Sequence, residues 1–74
     1  MQRMHISPKK LLLSKWTALK PIKREKHFLV TRLIVPDNGT PIIEVDLQAV
    51  HSGRTQTIAW KSLEDAATWS VGWK

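Results

Sequence analysis

From His27 to Val50 the chain carries two β-prone runs, His27–Val35 and Ile42–Val50, and in the second Ile43, Val45, Leu47 and Ala49 alternate with Glu44, Asp46 and Gln48. A period of two puts the apolar set on one face of a strand and the polar set on the other. Between the runs lies Pro36-Asp37-Asn38-Gly39-Thr40. Asn-Gly is a strong hairpin signal, because a two-residue turn that matches strand twist needs positive φ at both positions. A loop of Asn38-Gly39 pairs residues whose numbers sum to 77, setting Phe28, Val30 and Ile34 beside Ala49, Leu47 and Ile43. A type I turn with a glycine bulge makes the sum 76, pairing Leu29 with Leu47, Leu33 with Ile43, and Arg32 with Glu44. Both registers bury Ile43, Val45, Leu47 and Ala49, and the tighter turn is preferred. The run His27–Val35 is apolar on both faces, which further implies a sheet that curls over its own core.

A second reversal is expected at His51-Ser52-Gly53-Arg54. With Ser52-Gly53 as its centre, Leu47 lies opposite Ile58 and Val45 opposite Trp60, so two independent turns converge on one buried face while Thr55, Thr57 and Ala59 point outward. Ser62 and Asp65 have the S-x-x-D spacing of a helix N-cap, opening a short helix through Leu63, Ala66 and Ala67. Gly72 can then turn the tail back onto the sheet. Upstream, Ser7-Pro8 before Lys9–Leu13 fits an N-cap with proline at the first helical position. Ser14 to Leu19 reads as a short strand with Trp16 and Ala18 on one face and Lys15 and Thr17 on the other. The pattern predicts a mainly β fold: a small curled antiparallel sheet or SH3-like barrel with a short C-terminal helix, the alternative being an open four-stranded α+β sheet. One domain spans residues 1–74, with residues 1–7 as a flexible N-terminal tail.

Length makes packing decisive. At 74 residues a single core leaves a thin stability margin, and there is no cysteine with which to staple it. His5, His27 and His51 are isolated, with no metal-ligand spacing, so neither a structural metal nor a cofactor is expected. The four tryptophans therefore have a structural role first: Trp16 and Trp60 are placed in the core, and Trp69 and Trp73 are possible interface anchors. No apolar run has the length of a signal-peptide core or a membrane span, which makes a cytoplasmic setting the expectation. In that setting Asn38-Gly39-Thr40 is turn chemistry rather than a glycosylation site.

Charge adds a direction. The net charge of +6 divides into +8 over residues 1–36, with nine Lys or Arg against Glu25 alone, and −2 over residues 37–74, with three against five acids. Lys20-Pro21-Ile22-Lys23-Arg24-Glu25-Lys26 reads as a basic loop whose Lys20, Lys23, Arg24 and Lys26 contact phosphates. RNA or single-stranded DNA is the expected partner class. The alternative is an acidic protein surface, with Trp69 or Trp73 as the anchor. Catalysis is not expected. A thiol nucleophile is excluded, no nucleophile elbow, zinc-protease or phosphate-loop motif occurs, and the carboxylates sit at turn, strand-surface or cap positions.

Four stretches carry a resemblance: Lys9 to Ala18, Arg24 to Val30, Trp60 to Asp65, and the ending Trp69-Ser70-Val71-Gly72-Trp73. In this order they resemble a family of small tryptophan-rich bacterial proteins of unknown function, over about residues 8–74. The resemblance implies a bacterial, cytoplasmic protein; it carries over no catalytic residue, cofactor or partner.

Overall fold

The computed structural model describes residues 8–74; the expected N-cap at Ser7 and the tail of residues 1–7 lie outside them. A 3-10 turn at Pro8–Lys10 leads into β1 (Lys15–Ile22), β2 (Glu25–Ile34), β3 (Glu44–Ala49) and β4 (Thr55–Ala59). A second 3-10 turn (Trp60–Glu64) then precedes β5 (Trp69–Val71). All pairings are antiparallel, and the sheet order is β4-β3-β2-β1-β5. The mainly β class is as the alternation predicts. The curled or barrel form is corrected: this is one open, uncurled sheet whose edges, β4 and β5, do not pair with each other. The C-terminal helix is corrected too. The Ser62 hydroxyl donates to the Ala59 carbonyl instead of capping a free N–H. Asp65 ends the 3-10 turn and accepts from the Ala67 amide and the Thr68 hydroxyl, so the acid that was expected to open a helix closes a turn.

The β2–β3 register sums to 77 at Phe28↔Ala49 and Val30↔Leu47, then to 78 from Arg32↔Asp46 to Ile34↔Glu44, after a bulge at Thr31. Asn38-Gly39 is therefore not a two-residue hairpin loop. Residues 35–43 form the connection, since Pro36 and Pro41 have no N–H to give a ladder. As a result Leu33, not Arg32, lies beside Val45, Ile34 lies beside Glu44 rather than Ile43, and Ile43, expected in the core, is 61% exposed. The β3–β4 register sums to 103 rather than 105, with Ala49 and Arg54 closing a four-residue loop. A slip of two keeps every side chain on its face. Val45 still lies on the buried side, opposite Ile58, and Thr55, Thr57 and Ala59 are exposed as expected.

The core comprises Leu11, Trp16, Phe28, Val30, Val45, Leu47, Ala49 and Leu63, with Leu33, Ile58, Trp60 and Trp69 packed against it. Trp16 is the aromatic keystone at 2% exposure, whereas Trp60 leaves β4 to start the 3-10 turn and is only half-buried. Thr17, on the face opposite Trp16, is also buried because the tail crosses it. Its Oγ1 donates to the Gly72 carbonyl (2.7 Å) and accepts from the Lys74 amide (3.0 Å).

Candidate binding groove

The basic segment is a hairpin, not a loop. Lys20, Pro21 and Ile22 belong to β1, Glu25 and Lys26 to β2, and the chain reverses in the two residues Lys23-Arg24. Both have positive φ, 55° and 65°. These are the conformations of a type I′ turn, which favours Asn and Gly because a Cβ crowds the backbone there. Two cations hold the turn instead, at a cost of about 1–2 kcal/mol each.

Glu25 anchors that turn from below. Its carboxylate accepts from Arg54 through Nε (3.1 Å) and a terminal guanidinium nitrogen, and from the Ser52 hydroxyl (2.6 Å). Its side chain is only 7% exposed. The Arg54 hydrogen bonds, with that of Ser52, hold the Glu25 carboxyl at about 2, against the opposing effect of burial. The same contact raises Arg54. The one acid of the basic segment is thus committed across the sheet. Among the described residues the ion pairs are Glu25–Arg54 and Arg32–Asp46, so Lys20, Lys23, Arg24 and Lys26 have no carboxylate within pairing distance.

Above Thr17↔His27 the β1–β2 ladder breaks, and it resumes only at Ile22↔Glu25. Four residues of β1, Ala18 to Pro21, face Lys26 alone, so β1 arches away from β2. On its other edge β1 stays paired with β5 through Ala18 and Trp69. The arch borders a groove of about 240 Å³. Ala18, Ile22, Phe28 and Trp69 give it an apolar lining, and Lys20, Glu25, Arg54, Gln56 and Thr68 give it polar groups. Trp69 stands edge-on to Phe28, with centroids 5.2 Å apart and planes at 87°.

Three of the four indole N–H groups are satisfied internally: Trp16 donates to Ser14 Oγ, Trp60 to the Ile42 carbonyl and Trp73 to the Phe28 carbonyl. Trp69 Nε1 has no acceptor among the described residues, and it is not a buried orphan. Trp73 lies on the opposite face, over Lys15 (4.8 Å) and 5.9 Å from the His27 ring, 43% exposed.

Of the six residues singled out in the sequence, Lys20 and Trp69 therefore share the groove, and Lys23 and Arg24 form the tip beyond it. Lys26 is exposed on β2, and Trp73 is apart from the rest. Arg54, Ser52 and Gln56 were not anticipated; the signal for the first was a single acid inside a run of cations, which invites a distant counter-charge. Among the described residues no three His, Asp or Glu side chains gather as a metal site, and no helix is long and apolar enough to cross a membrane.

The family model described as Tryptophan-rich protein (DUF2389) matches residues 14–74. Searches of the curated proteins and of the solved structures give no match.

Proposed function

We propose a binding role, with single-stranded nucleic acid as the ligand, for this chain, which belongs to the tryptophan-rich DUF2389 family of unknown function. What supports this reading is the junction of Lys20 and Trp69 in one groove, with Lys23 and Arg24 projecting past its end. Cations that track phosphates beside an aromatic surface for a base are the two ingredients of sequence-tolerant single-strand binding. A bacterial, cytoplasmic setting and the absence of catalysis belong to the same proposal.

The test is a salt titration of binding to fluorescent single-stranded RNA and DNA. Four phosphate contacts give a slope of log K against log salt near roughly −2.8, about −0.7 per contact. Trp69→Ala is expected to weaken binding without changing that slope, because stacking releases no counterion. A wild-type chain that binds neither polymer at low salt overturns the proposal. The second reading, an acidic protein surface, has in its favour the 43% exposure of Trp73 beside Lys15.

A further inference from the structure

The two edges of the sheet are not equivalent. On either side of β4 the Ala49 amide donates to the Arg54 carbonyl and the Trp60 amide to the Ile43 carbonyl. With the register constant between them, the even-numbered residues of β4 bond inward to β3. The N–H and C=O groups of Thr55 and Thr57 and the Ala59 N–H therefore point out of the sheet without a partner among the described residues, while the Ala59 carbonyl already accepts from the Ser62 hydroxyl. At the other edge, β5 is three residues long and its outward Trp69 amide already donates to the Asp65 carbonyl.

Sheet edges are usually guarded by lysine, proline, a bulge or a covering segment. The β4 sequence, Thr-Gln-Thr-Ile-Ala, has no charge and no proline, and its ladder to β3 runs without a bulge.

We propose that this edge is the interface with a second copy of the chain, β4 against β4 in antiparallel sense about a two-fold axis at Thr57. The register follows from hydrogen-bond parity. Only outward-pointing residues can exchange bonds, and a two-fold at Thr57 sets Thr57 opposite Thr57 and Thr55 opposite Ala59 twice. Each outward N–H of the strand then has an acceptor, the Ala59 carbonyl taking a second bond beside that of Ser62, and the two five-stranded sheets become one.

Cross-strand neighbours agree with this register. Thr57, whose hydroxyl donates to Asp46 Oδ1, meets its own copy; Gln56 meets Ile58, Arg54 meets Trp60, and no like charges are opposed. The long-range charge agrees as well, because β3 and β4 come from the half of the chain with net charge −2 and the +8 half builds β1 and β2. A five-residue strand, about 17 Å long, buries less than the roughly 800 Å² per partner of a standard stable interface, so the dimer is concentration-dependent.

The experiment is sedimentation equilibrium of the full chain, with hydrogen exchange of the β4 amides at low and high concentration. The expected result is a rise in mass from 8.5 kDa toward twice that value, with protection gained at Thr55, Thr57 and Ala59. Added salt should promote dimerisation by screening two like-charged copies, opposite to its effect on nucleic-acid binding. Thr57→Pro removes an N–H that the native ladder does not use, and Thr57→Lys puts like charges on the axis; both are expected to stay folded and monomeric. A wild-type chain monomeric at every concentration overturns the proposal and leaves the edge to an extended segment of another protein. A dimer that leaves those three amides unprotected, or that survives both substitutions, overturns it equally.

Discussion

Removing the Trp16 side chain tests the account of the core most directly. At 2% exposure, Trp16 packs against Phe28 across the β1–β2 ladder and among Leu11 and Leu63, and its N–H is bonded to Ser14 Oγ at 2.8 Å. A buried tryptophan removes about 200 Å² from water, worth about 5 kcal/mol at 25 cal/mol per Å². Trp→Ala changes in cores cost about 3–5 kcal/mol, against a total of roughly 4–11 kcal/mol for a chain of this length. Trp16→Ala should therefore lower the thermal midpoint by at least about 12 °C, at about 4–8 °C per kcal/mol. Trp60→Ala and Trp69→Ala, each removing a half-buried ring, should cost about 1–2 kcal/mol less than Trp16→Ala. Circular dichroism during thermal and urea unfolding is the assay, since three other indoles would blur a fluorescence signal. If Trp16→Ala melted within a few degrees of the wild type, or Trp60→Ala were the costlier change, the assignment of the core would be wrong.

Acid should weaken the hairpin anchor: Glu25 falls from 4.5 in the unfolded chain to about 2 when folded, so its stabilisation is complete above about pH 4.5 and is lost as pH drops toward 2. A melting series over that window should show the loss, and Glu25→Gln should flatten it. Replacing Lys23-Arg24 with Asn-Gly relieves two positive-φ side chains, so stability should rise by about 1–3 kcal/mol in urea unfolding while the salt slope of oligonucleotide binding becomes shallower by about 1.4. Thr17→Val leaves the Lys74 amide without its acceptor, and a cost of about 1–3 kcal/mol with faster exchange at that amide is expected.

Alternation alone was enough to place Val45, Leu47 and Ala49 on the buried face and Thr55, Thr57 and Ala59 on the exposed one, because side-chain period is a local property of an extended chain. That is also why a β3–β4 register wrong by two residues still paired the right faces. Trp16 in the core and the concentration of cations on the first two strands were legible in the same way. What depends on distant partners was not. Pro41 overrode the Asn38-Gly39 hairpin, Thr17 was buried by a tail 55 residues away, and Ser62 and Asp65 spent their side chains on a 3-10 turn. The groove lies where β1 arches off β2 after Thr17 while Ala18 stays paired with Trp69, and its charge balance depends on Glu25 finding Arg54 across the sheet. Sequence determined which residues carry apolar area and charge; tertiary structure decided which of them meet, since hydrogen bonds and ion pairs are short-ranged and the chain brings their partners together only on folding.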